Sequence, residues 1–355
     1  MTDLERAFRT LMEAAGPLPA ERVAAWEAAG RVAAEDVLAP RDVPGFRRVM
    51  MDGFACRSAD VAAASPGRPV ALRLTGDVAA GQVPAGGPGE GEAWSVGTGA
   101  VLPGGADAVV PLERVRREGD RVLVDRPVPP GRNVAALDED IRRGERLATA
   151  GEPISPAAAA ALVAAGIPAV PVIRRPRVLI LATGDELVDL RERGDGRAGA
   201  ASGTGPGRVY NSNAAALAAE FRNLGVECTL GGIVPDDTVA LRTAFRQALA
   251  AGADVIVTTG GVSVGPRDRV ARTWLELGAR RFLGRLDVKP GGPFFAGRWG
   301  DTWVIGLSGT PASCLATYHV LVRPFLLRLA GRRPGGPPVV PPALATPLPN
   351  PADPP

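Results

Sequence analysis

From residue 172 to about 330 the chain alternates between runs that are apolar throughout and amphipathic stretches. "RPRVLILAT", "VECTLGGIV", "ADVIVTTGG" and "TWVIGLSG" read as strands. "NSNAAALAAEFRNLG", "DDTVALRTAFRQALAAG", "RDRVARTWLELGA" and "PASCLATYHVLVRPFLLRLAG" read as helices. A strand that is apolar on both sides must be covered on both sides. The pattern therefore predicts a parallel sheet with helices on each face. Ligands of such sheets bind beyond the carboxyl ends of the strands. Gly225 is the expected stop of one helix, and Asp236 or Asp237 the expected cap of the next.

Those strand ends carry unusual residues. "TTGGVSVGPRD", 258–268, puts Gly260 and Gly261 past a strand and closes on Asp268, where a helix is expected to start. Glycines let backbone N–H groups approach a ligand closely, and a helix start favours anions. The same stretch also reads as a tight turn with an aspartate cap. Neighbouring strands end in Thr183-Gly184-Asp185-Glu186, in Asp236-Asp237, and in Ser308-Gly309-Thr310 before Ser313. Singly, each acid reads as an N-cap. Gathered at one rim, the acids at 185, 186, 236 and 268 would repel one another unless a cation such as Mg²⁺ stood among them with a ligand phosphate. Lys289, in "LDVKPGGPFFAG", lies in a Pro/Gly loop and reads either as solvated surface or as an oxyanion contact.

The N-terminal half has a different texture. Residues 1–45, "LERAFRTLMEAAG" and "PAERVAAWEAAGRVAAEDV", read as helices. Residues 46–141 are short strand-like pieces between turns, a β-rich domain. "PISPAAAAALVAAG" restores helix, with Ser155 as N-cap. This predicts a helical linker domain split over 1–45 and 142–171, and an α/β domain over 172–332. The stretch 191–208 reads as a flexible surface loop. The tail, 333–355, has ten prolines and reads as extended or disordered.

Composition excludes several chemistries. With one histidine, His319, inside an apolar helix pattern, histidine acid–base work is nearly ruled out. Cys56, Cys228 and Cys314 stand far apart and odd in number, so neither a disulfide framework nor a thiolate metal site is expected. A reduced cytoplasmic setting follows. The net charge of +3 is dispersed, which gives no nucleic-acid arm. No uncharged apolar run reaches the length of a membrane span.

The motifs taken together resemble the molybdopterin molybdenumtransferase family, that of MoeA and the gephyrin E domain. The matching stretches are "DVPGF…MDGFA", "TGAVLPGGADAVV", "DEDI", "ATGDEL", "GRVYNSN", "TTGGVSVGPRD", "KPGGPF" and "GLSGTPAS", in order over about 300 residues. The resemblance implies an α/β multi-domain chain with a MogA-like doubly wound molybdopterin-binding domain, a small β domain and a helical linker domain. It implies an elongated homodimer whose site lies between the α/β domain of one subunit and the β domain of the other. The implied reaction inserts molybdate into adenylylated molybdopterin with release of AMP, using Mg²⁺. A MogA-like adenylyltransferase is the implied partner. By the same resemblance Asp52, Asp140, Glu186, Asp236, Asp268 and Lys289 are the catalytic candidates. Glu186, Asp236 and Asp268 are the metal ligands. Gly260, Gly261 and Ser263 cradle the pterin phosphate, with Thr183, Gly184, Gly265, Ser308, Gly309, Thr310 and Ser313 as further binding residues.

The chain departs from the family pattern at several places. Gly292 stands for a second lysine of KPGKP, "GLSGTP" for GLPGNP, and Val49 for a serine. The family's C-terminal β domain is expected to be absent. These departures leave a second reading open, a non-catalytic molybdopterin or cofactor carrier.

Overall fold

The computed structural model describes residues 2–190, 204–262 and 269–332. The C-terminal unit is the alternating one. Its elements are β1 (Arg177–Thr183), α1 (Ser212–Asn223), β2 (Glu227–Val234), α2 (Thr238–Ala250), β3 (Val255–Thr259), α3 (Val270–Glu276), β4 (Arg280–Leu283), β5 (Phe294–Trp299), β6 (Thr302–Leu307) and α4 (Pro311–Thr317). The six strands form one sheet in the order β2-β1-β3-β6-β5-β4. The four expected strands, β2, β1, β3 and β6, run parallel.

The expected all-parallel sheet is corrected at one edge. β5 runs antiparallel to β6, and β4 antiparallel to β5. The arginines of "ARRFL" and "FFAGRW" break the apolar run that marks a strand; β4 is the edge strand, where Arg280 and Arg281 are exposed, while Arg298 on β5 is part-buried. Each face of the sheet has its own core. One packs Ile180, Phe221, Val257, Ile305, Tyr318 and Phe325. The other packs Leu241, Phe245, Ile256, Val270, Trp274 and Val304. Phe245 and Trp274 stack with centroids 4.0 Å apart.

The long C-terminal helix is also not uniform. α4 passes into a π-helical segment, Tyr318–Val322, before Arg323–Leu329 resumes α-helix. Pro324 has no N–H to give the preceding turn, which accounts for the wider ladder just before it. The caps follow the chemistry of short polar side chains. Asp237, not Asp236, caps α2 by accepting from the Ala240 N–H at 2.8 Å. Ser155 caps the helix Pro156–Ala164 through the Ala158 N–H at 3.0 Å.

The β region forms a second six-stranded sheet. Its order is Ala108–Pro111, Gly53–Cys56, Glu92–Val96, Val70–Val78, Arg121–Val124 and Val115–Glu118. Two expectations for residues 1–45 are corrected. The helix Leu4–Ala14 does form, capped by Asp3, but Ala7, Leu11 and Ala15 join the core of the C-terminal unit. The stretch expected as a second helix is instead a strand, Ala20–Ala24, paired antiparallel with Ala169–Ile173, then a 3₁₀ turn, Ala25–Glu27. Helix propensity, even alanine's, is a weak determinant beside tertiary context, and pairing with a distant strand overrides it. Ala25, Ala28 and Ala33 then pack on Ile154, Leu162 and Val172.

No helix among the described residues is long and apolar enough to cross a membrane. Most of the surface loop expected over 191–208, and the tail 333–355, lie outside the described residues.

Candidate functional site

Beyond the strand ends, hydrogen bonds continue from the sheet into the loops. The Gly260 N–H donates to the Leu307 carbonyl at 2.9 Å, and the Gly184 N–H to the Val234 carbonyl at 3.2 Å. Buried Thr183 donates through Oγ1 to the Thr259 carbonyl at 3.3 Å. The loops after β1, β2, β3 and β6 are thereby joined into one rim. Gly260 has φ +94°, and a Cβ there would press on the Thr183 carbonyl oxygen. The position therefore needs glycine both for its backbone and for the space.

Between this rim and the start of α1 lies a cavity of about 320 Å³. Thr183, Glu186, Asn211, Asn213, Thr259 and Gly309 are among its lining residues. Asn213 Nδ2 donates to the Gly309 carbonyl at 2.8 Å and joins the two walls. The Val209 N–H donates to the Glu186 carbonyl at 2.9 Å, so the strand before α1 is tied to the acid loop. A second cavity of about 350 Å³ adjoins it, sharing Tyr210, Asn211 and Ser212 and otherwise lined largely by apolar groups such as Ile180 and Leu230.

The acids gather on one side of the rim. Asp236 is partly buried. Burial, then the charges of Asp185 and Glu186, push its carboxyl above the usual value, while Arg269 pulls it down. The Asp236 N–H donates to Asp185 Oδ1 at 3.1 Å, and its carbonyl accepts from Arg269 Nη1 at 2.8 Å. The Glu186 carboxylate lies over Gly184; a Cβ at 184 would stand 2.5 Å from one of its oxygens. Asp185 is engaged by the Asp236 peptide, which leaves Glu186 and Asp236 as carboxylates able to face a ligand. No three metal-ligating side chains stand together among the described residues. Two carboxylates and a ligand phosphate nevertheless suit Mg²⁺, which keeps several waters and takes few protein ligands. Asp268, Ser263 and Gly265 lie outside the described residues, and the cap position of α3 is Arg269 rather than Asp268.

On the other side of the rim, Ser308 is buried and its Oγ accepts from the Thr310 N–H at 3.3 Å. Thr310 is exposed at the start of α4 and makes no side-chain cap. Ser313 accepts through its carbonyl from Thr317 Oγ1 at 2.8 Å. The Lys289 loop rests on the same helix: a Cβ at Gly291 would stand 2.7 Å from Thr317 Cγ2. Lys289 itself is exposed. Gly261 closes the glycine loop by accepting at its carbonyl from the Val270 N–H at 3.2 Å.

Asp52 and Asp140 belong to the β region and, among the described residues, make no hydrogen bond or ion pair with the rim. Asp52 Oδ1 accepts from the Thr98 N–H at 2.7 Å and from its hydroxyl at 2.8 Å, and these bonds hold its carboxyl below the usual range. Asp140 pairs with Arg48 at 3.2 Å. Sequence reasoning missed Asn211, Ser212 and Asn213 as lining residues. "VYNSN" carried the signal, two amides and a hydroxyl opening a helix, but it reads equally as a cap, and Asn211 does cap α1 through the Ala214 N–H at 3.3 Å.

The fold and rim define a class: an α/β protein whose parallel strands end in glycines, hydroxyls and carboxylates around one cleft. The comparisons narrow it. Residues 2–166 match the MoeA N-terminal region (domain I and II), and residues 179–328 the probable molybdopterin binding domain. The chain is 35% identical over 322 residues to the molybdopterin molybdenumtransferase of Nostoc sp., covering 90% of this chain and 71% of that one. It is 31% identical over 341 residues to the enzyme of that name from Haemophilus influenzae, covering 94% and 79%. The crystal structure of the molybdopterin biosynthesis MoeA protein from Pyrococcus horikosii superposes with a TM-score of 0.78 at 35% identity, covering 94% of this chain and 81% of that chain. The chain belongs to the molybdopterin molybdenumtransferase family.

Proposed function

We propose that this protein is a molybdopterin molybdenumtransferase of molybdenum cofactor biosynthesis, inserting molybdate into adenylylated molybdopterin with release of AMP. The observation that carries the reading is the convergence of Thr183, Glu186, Asn213 and Gly309 on one cavity at the carboxyl rim, beside the Asp236 loop. Two thiols of the dithiolene bind molybdenum, their protons leaving with one molybdate oxygen as water; hydrolysis of the phosphoanhydride frees AMP.

The chain's own residues bind and orient. Backbone N–H groups after β3 and β6 and the Asn213 amide hold phosphate oxygens. The Lys289 ammonium attracts the molybdate oxyanion to the loop above α4. Glu186 and Asp236 would hold Mg²⁺, with Asp268 as a third candidate; when bound, the ion supplies positive charge against the phosphoanhydride. Asp52 and Asp140 are held by Thr98 and Arg48, partners within the β region. That supports a homodimer in which the β region of a second copy completes the site. We assign a cytoplasmic setting, with a MogA-like adenylyltransferase as supplier of the substrate. Unit boundaries near 46, 141 and 172 belong to the same proposal, with Leu4–Ala14 added to the C-terminal unit.

Purified protein with adenylylated molybdopterin, Mg²⁺ and molybdate tests this. AMP release with molybdate-dependent cofactor formation is expected, and Glu186→Gln should slow it at least about 100-fold. Tight pterin binding with no AMP release overturns the reading.

A further inference from the structure

On the acid side of the cleft the backbone of Asp236 is gripped from two directions. Asp185, just past β1, takes the Asp236 N–H, and Arg269, at the cap of α3, donates to the Asp236 carbonyl. A single backbone unit after β2 thus links loops that follow three strands. Arg269 also stands where the glycine loop after β3 returns to the helix, next to the Val270 N–H that closes on Gly261. Its guanidinium brings a positive charge to the acid side of the cleft.

We propose that Arg269 is a positioning residue and built-in counter-cation of the acid rim: it holds the Asp236 peptide, and its charge sets how tightly Glu186 and Asp236 take up a divalent ion. This rests on the reading of that rim as a divalent-ion site. Carboxylates gathered without a cation would repel each other when empty, and the two that face a ligand would hold an ion more tightly when full. With Arg269 in place the empty rim is partly neutralised, and an incoming ion meets one repelling charge. The ion therefore binds weakly alone and well with a phosphate-bearing ligand, and it exchanges with that ligand.

The test titrates Mn²⁺, read by electron paramagnetic resonance, into the full chain without other ligands. Arg269→Gln should tighten Mn²⁺ binding about fivefold at low ionic strength, and the gain should fade near 1 M salt. Arg269→Lys should stay close to wild type, and Glu186→Gln should weaken binding. Melting curves show that each variant is folded; should Arg269→Gln not fold, Arg269→Met, which keeps the apolar stem, carries the comparison. Unchanged or weaker Mn²⁺ binding in a folded neutral variant overturns the proposal. Wild-type protein that takes up no Mn²⁺, even with inorganic pyrophosphate, overturns the ion site and this proposal together. AMP release by that same protein would leave the transferase reading standing.

Discussion

The side-chain amide of Asn213 donates to the carbonyl of Gly309 at 2.8 Å, joining the first turn of α1 to the loop after β6. These residues are 96 positions apart in the chain. The bond spans a cavity whose other lining groups come from β1, β3 and the strand before α1. Removing the amide in Asn213→Ala should weaken molybdopterin binding about fivefold, the net worth of one hydrogen bond. Melting temperature should move little, since the bond lies at the rim. Titration calorimetry beside a thermal scan separates the two effects. A fall in stability with binding intact would make the contact purely structural.

Two glycines with positive φ give a matched comparison. A Cβ at Gly252, φ +69°, meets open space. At Gly260, φ +94°, it meets the Thr183 carbonyl and stands 2.9 Å from Thr183 Oγ1. Gly252→Ala should cost about 1 kcal/mol, the backbone term alone. Gly260→Ala should cost about 3 kcal/mol and disturb ligand binding, because the rim backbone must shift. Urea unfolding of both variants checks the difference; equal costs would mean that the rim yields freely.

Asp236 should make the protein less stable when charged. Its carboxyl is raised, chiefly by burial and next by Asp185 and Glu186. A raised carboxylate binds its proton more tightly when folded. The penalty is therefore absent well below the ordinary value of 3.8 and grows as pH rises through the folded value. Asp236→Asn should be more stable than wild type at neutral pH, and the gap should close on acidification. Denaturant midpoints from pH 3 to 8 test the sign, while AMP release should be lost in the same variant.

Asp254 should behave in the opposite way. Arg174 donates to its two oxygens at 2.8 and 2.7 Å, and the Arg177 N–H donates at 2.8 Å. Burial pushes the carboxyl up, but these partners together hold it below 3.8. The stabilisation is present above 3.8 and lost as pH falls through the lower, folded value. Asp254→Asn should cost about 2 kcal/mol at pH 7, allowing for partial exposure of the pair, with little difference from wild type near pH 2. A cost that did not change with pH would point to lost packing instead of the ion pair.

The amino-acid order alone determined β1, β2, β3 and β6, the helices between them, and the rim at which glycines, hydroxyls and acids gather. Periodicity and cap chemistry are local, so residues a few positions apart suffice to specify them. Three things were settled only by tertiary contacts. β4 and β5 exist because a neighbouring strand offers them a ladder, and no alternation in "ARRFL" announces it. Ala20–Ala24 is a strand because Ala169–Ile173 lies beside it, although its alanines favour a helix. The cavity walls were decided in the same way. That Asn213 faces Gly309, that Arg269 holds the Asp236 peptide, and that Asp52 turns to Thr98 depend on groups 96, 33 and 46 residues apart. Such pairings arise only when distant elements pack against one another, and no short window of sequence contains both partners.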